Sequence, residues 1–92
     1  MEIDFSNSTK DEIDIFYKSI SEKVHILRKQ KNITQLDLAL DIGIKSVAFY
    51  SNCENNRYNK HFNLEHLYKI AKTLDIEFCE FFKIHPLNNI VQ

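Results

Sequence analysis

The sequence predicts an all-α fold, a compact five-helix bundle. Its 92 residues contain one glycine, Gly43, and one proline, Pro86, whereas a β-rich chain needs turn residues roughly every 8–12 positions. Apolar residues recur at intervals of three and four over long stretches, which is the spacing of one helical face. The length suits a single domain that needs no disulfide or metal to fold.

The first helix is predicted to run from Thr9 to about Lys31 and to be extended at its N-terminus. Thr9 and Glu12 have the T-x-x-E spacing of a capping box. Asn32 is the expected left-handed residue at the helix end. The apolar stripe of this helix consists of Ile13, Phe16, Ile20, Val24 and Leu27.

Two short helices follow, separated by a glycine. Thr34 is the predicted cap of the second helix, and Gly43 ends it. Ser46 caps the third helix, over residues 47–54, with Tyr50 and Cys53 directed inward. The predicted buried positions of the second helix are Leu36, Ala39 and Leu40.

Residues 55–63 have no helical periodicity and are predicted to form a loop. Asn63 then caps a fourth helix, and Asp75 or Glu77 opens a short fifth one that holds three phenylalanines. The apolar face of the fourth helix consists of Leu64, Leu67, Ile70, Ala71 and Leu74. We expect residues 1–8 to be disordered, residues 9–83 to form the domain, and residues 84–92 to be a C-terminal tail.

The net charge of −1 conceals a strong asymmetry along the chain. Residues 1–22 carry six acids and two bases, residues 23–72 carry nine bases and four acids, and residues 73–92 return to an acidic excess of two. A surface that binds phosphates needs only local positive potential. The charge pattern is therefore compatible with nucleic-acid binding by the middle of the chain.

Several classes of protein are disfavoured by the composition. No apolar run approaches the roughly 20 residues that cross a bilayer, and the acidic start is unlike a secretory signal. Cys53 and Cys79 lack metal-ligand spacing, so we expect two reduced, buried thiols in a cytoplasmic protein. His61 and His66 have no partner in metal-ligand register. No catalytic cluster, metal site or cofactor is expected.

The segment TQLDLALDIGIKSVAFYSNCE has the pattern of a helix-turn-helix, in which the glycine makes the tight turn. Residues 20–82 as a whole resemble the Cro/repressor-type (XRE) helix-turn-helix family of lambda-repressor-like DNA-binding domains. Arg28 lies seven residues before Gln35, which is the spacing found in that family. The segment LEHLYKIAKTLDIEFCEFF is similar to the fourth and fifth helices of its members. The resemblance implies a transcriptional regulator that binds double-stranded DNA.

The resemblance also implies roles for individual residues. Thr34 and Gln35 would begin the second helix, and Arg28 and Glu54 would form a partly buried ion pair. The third helix would lie in the major groove. Its base-facing residues would be Ser46, Val47, Ala48 and Asn52, with Ser51 nearby. Gln35 and Asn55 would contact phosphates. The basic residues near the motif add Arg57 and Lys60 as our own phosphate candidates, with Lys45 as a further basic candidate.

Three features depart from the family pattern. The turn GIKS is one residue longer, which can shift the base-facing set by one position. Val47 and Ala48 replace the amide side chains that relatives often carry, so they can touch thymine methyl groups but make no bidentate hydrogen bonds. Asn56 replaces a glycine, and asparagine tolerates the left-handed conformation.

The basic residues near the motif have an alternative interpretation. Lys45, Arg57 and Lys60 can be part of an ordinary solvated surface that binds nothing.

The fifth helix predicts a homodimer. Phe78, Phe81 and Phe82 exceed what a small core needs, and exposed apolar patches often mark interfaces. The tail, at residues 84–87, would extend that contact. The alternative is that these aromatics only close the core.

Three functions remain open from the sequence. The first is a dimeric repressor or controller that binds a pseudo-palindromic operator. The second is an antitoxin that binds a toxin through its acidic N-terminal segment and represses its own operon. The third is a protein-interaction adaptor that keeps the fold without binding DNA. We expect no membrane partner.

Overall fold

Helices make up all of the regular structure in residues 6–83, which the computed structural model describes. The elements are α1 (Lys10–Gln30), α2 (Gln35–Asp41), α3 (Val47–Glu54), α4 (Leu64–Leu74) and a 3-10 helix (Phe78–Phe82). The all-α prediction is confirmed, but the predicted fifth helix is a 3-10 helix. This segment has only five residues and no side-chain cap. Such short helical pieces commonly adopt the tighter i to i+3 hydrogen bonding of a 3-10 helix. The predictions for residues 1–5 and 84–92 lie outside the described residues.

Each α-helix begins after the residue predicted to cap it. The side-chain oxygen of the cap accepts a hydrogen bond from a backbone N–H of the first turn, at 2.7–3.1 Å. Thr9 and Glu12 form the predicted capping box, because the Thr9 N–H also donates to the Glu12 carboxylate at 2.9 Å. These bonds satisfy donors that have no partner inside a helix. The caps are Thr9, Thr34, Ser46 and Asn63.

Left-handed residues follow the ends of the helices. Asn32 and Gly43 have φ values of 58° and 82° after α1 and α2, as predicted. Asn56 and Asp75 have φ values of 54° and 56° after α3 and α4. Short polar side chains tolerate this conformation better than other non-glycine residues, so the chain makes all four reversals with a single glycine.

One face of every helix contributes to the core, in which the Tyr50 ring is fully buried. Cys53 is buried as predicted, whereas Cys79 is exposed. Phe81 takes the inner side of the 3-10 helix, which leaves Cys79 on an accessible side. The buried hydrophobic residues are Ile20, Val24, Leu38, Ala39, Ile42, Ile44, Tyr50, Cys53, Phe62, Leu67, Ile70, Ala71, Leu74 and Phe81.

The buried face of α2 differs from the prediction. Leu38 and Ala39 are buried, whereas Leu36 and Leu40 are 52% and 58% exposed. α2 packs against α3 and α4, and residues four apart share one side of a helix. Leu36 and Leu40 therefore share the side that faces away from the core. A seven-residue helix is too short for periodicity to decide between these two sides.

The N-terminal turns of α1 extend beyond the core. Ile20 and Val24 are buried, whereas Ile13 and Phe16 of the same predicted stripe are exposed. Tyr17 links this extension to the loop after α3. Its ring stacks on His61, with centroids 3.7 Å apart and planes 7° from parallel.

α4 begins with a capping box in which His66 takes the place of the usual Glu or Gln. His66 Nδ1 accepts from the Asn63 N–H at 3.1 Å, and Asn63 Oδ1 accepts from the His66 N–H at 2.7 Å. Nδ1 can accept only in the neutral ring. Burial lowers the pKa of His66, Glu65 raises it and Lys69 lowers it, with a net decrease.

Acid should therefore destabilise the start of α4 through His66. Because the folded pKa lies below the unfolded one, the contribution of the neutral ring is complete above the unfolded pKa and is lost as the pH falls below it. His66→Gln keeps an acceptor, so its free energy of unfolding should fall less between about pH 7.5 and 5.5 than that of the wild type. His66→Ala lacks the acceptor and should cost about 0.5–1 kcal/mol at neutral pH. Equal pH dependence of the wild type and His66→Gln in denaturant melts would contradict this role.

Candidate nucleic-acid interface

Glu54, the last residue of α3, is a buried carboxylate bonded to four side chains. Its Oε2 accepts from Arg28 Nε at 2.9 Å and from the Tyr50 hydroxyl at 2.6 Å. Its Oε1 accepts from Arg28 Nη2 at 2.9 Å and from Gln35 Nε2 at 3.2 Å, and it lies 2.6 Å from His25 Nδ1. The structure thus brings together the two residues that the family resemblance paired, with three further partners.

Burial and hydrogen bonding act in opposite directions on the pKa of Glu54. Removal from water alone raises the pKa of a carboxyl group. The hydrogen bonds from Arg28, Tyr50, His25 and Gln35 outweigh that effect and lower the pKa to about 2. The hydrogen bond to Glu54 raises the pKa of Arg28, and burial together with that carboxylate raises the pKa of Tyr50. At neutral pH the Glu54 carboxylate is therefore ionised, and the Arg28 guanidinium and the Tyr50 hydroxyl keep their protons.

The donors to Glu54 tie α3 to both α1 and α2. Arg28 and His25 lie on α1 and Gln35 lies on α2, while Ser21 of α1 also donates to the Cys53 carbonyl of α3 at 2.9 Å. A shift of α3 would leave these buried polar atoms unpaired, which costs several kcal/mol for a buried charge. The C-terminal end of α3 is therefore fixed relative to both neighbouring helices.

The N-terminal turn of α3, in contrast, is exposed. Val47 is 43% exposed, and Ala48, Lys45 and Ser46 are exposed as well. Ser46 Oγ accepts the Phe49 N–H at 3.1 Å, which leaves its hydroxyl proton able to donate elsewhere. Three of the residues predicted to face bases are thus adjacent on one accessible turn.

Polar side chains cluster at the other end of α3. Asn55 Nδ2 donates to the Ser51 carbonyl at 2.8 Å, and Arg57 Nη2 donates to Ser51 Oγ at 3.2 Å. Asn52 is half-buried, and its side chain has no hydrogen-bond partner among residues 6–83. Lys60 is exposed after this cluster. Most of the predicted contact residues therefore lie on α3 or in the loop that follows it.

At the start of α2, Thr34 is accessible, but Gln35, the predicted phosphate contact, is partly covered. Thr34 is exposed, and its Oγ1 accepts the Asp37 N–H at 3.0 Å. Gln35 is half-buried and donates to Glu54, so its contact with a phosphate stays a prediction. α2 also carries two exposed acids, Asp37 and Asp41.

The three phenylalanines of the 3-10 helix lie in different environments. Phe81 is fully buried, whereas Phe78 and Phe82 are exposed, with ring centroids 5.4 Å apart. Phe81 closes the core, which is one of the two roles considered from the sequence. Of the three phenylalanines, Phe78 and Phe82 are the exposed ones, and a dimer contact through them stays a prediction.

Sequence reasoning missed three partners of Glu54, namely Gln35, Tyr50 and His25, and the last two had a local signal. Tyr50 precedes Glu54 by four residues on α3, and His25 precedes Arg28 by three on α1. These spacings place each pair on one helical face, so once Arg28 and Glu54 were paired the signal was available. The bonds between Arg28 and Glu54 also explain why α1 and α3 can each bury a charged residue, since buried polar groups need partners.

The arrangement of α2 and α3 around Gly43, packed against α1 and α4, is that of a helix-turn-helix domain. A family model described as Helix-turn-helix (HTH_3) matches residues 24–81. The chain therefore belongs to the Cro/C1-type (XRE) helix-turn-helix family, as the resemblance implied. Members of this family are typically DNA-binding regulators without enzymatic activity. Searches of curated proteins and of solved structures each gave no match.

Residues 6–83 contain no helix that is long and apolar enough to cross a membrane. They also contain no group of three or more His, Cys, Asp or Glu residues that could hold a metal ion.

Glu54→Gln should destabilise the protein strongly. The amide keeps the shape of the side chain but leaves the buried Arg28 guanidinium without a counter-charge, and breaking such a pair costs about 3–5 kcal/mol. Urea unfolding at neutral pH measures the difference. Glu65→Gln is the matched control, since Glu65 is exposed and its ion pair with Lys69, at 3.0 Å, lies at the surface; it should cost less than about 0.5 kcal/mol. Equal losses in the two variants would show that the Glu54 charge does not stabilise the fold.

The same variant should be less sensitive to acid. The folded pKa of Glu54 is depressed, so its contribution is complete above the ordinary value of 4.5 and is lost as the pH falls towards about 2. The wild type should therefore lose stability over this window more steeply than Glu54→Gln.

Proposed function

We propose that the protein is a homodimeric transcriptional regulator, a repressor or controller, that binds a pseudo-palindromic site in double-stranded DNA. The N-terminal turn of α3 enters the major groove, as the second helix of a helix-turn-helix does. The observation that carries this proposal is the contrast within α3. Val47 and Ala48 are exposed at one end, and Glu54 is locked into the core at the other.

The exposed cations around α3 support this orientation. Lys45 precedes the helix, and Arg57 and Lys60 follow it. Cations that neutralise phosphates supply the sequence-independent part of DNA affinity. Because Asp37 and Asp41 are exposed on α2, we assign the backbone contacts mainly to α3 and the loop after it. Thr34, Gln35 and Asn55 are the uncharged candidates for further phosphate contacts.

The base-facing set combines polar and apolar side chains. The Asn52 amide can pair with adenine, and the Ser46 hydroxyl can donate or accept. Val47 and Ala48 can contact thymine methyl groups. Ser51 lies beside them, with its Oγ bonded to Arg57.

An antitoxin is the second candidate function, and the N-terminal turns of α1 favour it. Ile13 and Phe16 are exposed there beside Asp11 and Glu12. An acidic surface with apolar side chains suits a basic protein partner. A toxin gene next to the gene for this protein would favour this candidate, and an adaptor that binds no DNA is the third.

Two classes of variant should affect DNA binding differently. Arg57→Ala and Lys60→Ala should weaken binding to all duplexes and lower the slope of log K against log salt by about 0.9 for each lost phosphate contact. Asn52→Ala should cost about 1–3 kcal/mol at one base pair of each half-site and leave the slope unchanged. Sites selected from a random duplex pool and titrated at several salt concentrations provide both readouts.

Lys72→Ala is the control for Lys60→Ala. It removes the same charge from an exposed position near the end of α4, so it should leave the affinity almost unchanged. Equal effects of the two lysine variants would contradict the proposed interface. A wild-type protein that binds no duplex below about 100 µM at low salt would refute DNA binding, since non-specific binding alone reaches about 10⁻⁴–10⁻⁶ M.

The dimer should depend on the exposed side of the 3-10 helix. Light scattering should give twice the chain mass of 10.9 kDa, and Phe82→Glu should reduce it to one chain, because a charge there opposes burial. Leu64→Glu introduces the same charge at a 70% exposed position of α4 and should leave the dimer intact. A wild-type monomer at high micromolar concentration would contradict the interface.

A further inference from the structure

Residues 57–60 form a tight turn just after α3. The Lys60 N–H donates to the Arg57 carbonyl at 2.9 Å. Both central residues, Tyr58 and Asn59, have positive φ values, 55° and 58°, which is the pattern of a type I′ turn. Asparagine suits this conformation, but a bulky side chain there is an outlier. The backbone at Tyr58 is therefore strained.

No contact of the Tyr58 side chain within the described residues compensates for that strain. Tyr58 is 77% exposed, and its side chain has no hydrogen bond or ring contact in residues 6–83. Glycine would adopt the same φ without strain. A residue held in a disfavoured conformation often marks a functional site, and here the side chain can meet only something outside the described chain.

The turn is held firmly from its flanks. His61 Nδ1 lies 2.8 Å from Asn56 Oδ1, and its Nε2 lies 3.2 Å from Asn59 Oδ1. The Tyr17 ring stacks on His61 and covers its face. These contacts fix the position of the turn relative to α1 and to the end of α3, so the exposed Tyr58 side chain projects from a rigid support.

We propose that Tyr58 binds the DNA backbone, with its phenol donating a hydrogen bond to a phosphate between those contacted by Arg57 and Lys60. This inference rests on the proposed function and extends its interface by one residue. Both basic neighbours are exposed, and tyrosine hydroxyls are common phosphate donors in protein–DNA complexes. The rigid turn fixes the backbone of Tyr58 before binding, which reduces the ordering cost of the contact.

Tyr58→Gly provides the sharpest test, because it should change stability and DNA affinity in opposite directions. Relief of strain keeps or raises the stability, whereas loss of the phenol lowers the affinity. Relief of the positive φ should keep or raise the midpoint of thermal unfolding, by up to about 5 °C. The affinity for a fluorescein-labelled duplex of random sequence at low salt, measured by anisotropy, should fall about 10-fold. Tyr58→Phe keeps the ring and should lose about 3-fold in affinity without a change in thermal midpoint.

Tyr68→Phe is the matched control, since Tyr68 is 61% exposed on α4; it should bind like the wild type. If the wild type binds the duplex and Tyr58→Gly binds equally well, this inference fails while the proposed function stands. If Tyr58→Gly is less stable than the wild type, the strain argument fails and the inference with it. A wild type that binds no duplex overturns both the proposed function and the inference.

Discussion

The requirement that a buried carboxylate be fully paired determines how α3 sits in this protein. Glu54 is excluded from water, and it stays ionised because Arg28, Tyr50, His25 and Gln35 all bond to it. An eight-residue helix has too few internal hydrogen bonds to be stable alone. Its orientation must therefore come from its contacts, and the bonds to Glu54 join the end of α3 to both α1 and α2.

The remaining features keep that geometry while leaving one end of α3 accessible. Side-chain caps start every α-helix, and left-handed residues such as Asn56 end them, so the connections are short and defined. Tyr50 is fully buried in the core and also bonds Glu54, which makes the apolar packing and the polar network interdependent. The exposed turn that begins at Val47 is consequently presented on a rigid support, and rigidity lowers the entropic cost of binding.

Local signals in the sequence predicted most of the fold. The caps at Thr9 and Asn63 and the turn at Gly43 depend on neighbouring residues alone, and all three were predicted correctly. The buried side of α2 and the 3-10 geometry of the last helix were not, because they depend on which neighbours a short segment contacts. The stack of Tyr17 on His61 joins distant parts of the chain and has no local signal. In the candidate site the Arg28–Glu54 pair came from the family resemblance. Helical spacing could have added Tyr50 and His25, whereas the bond from Gln35 required the structure.

The composition of α3 limits how it can read DNA if it occupies the major groove as proposed. Val47 and Ala48 can recognise a thymine methyl group but cannot make the bidentate hydrogen bonds that discriminate most strongly among base pairs. Direct readout then depends largely on Asn52 and Ser46. Compared with a recognition helix that carries amide side chains at the positions of Val47 and Ala48, this helix must obtain more of any sequence preference from the shape and deformability of the DNA. Those properties are sensed through contacts to the DNA backbone. The loop that carries Arg57 would therefore contribute to specificity as well as to affinity.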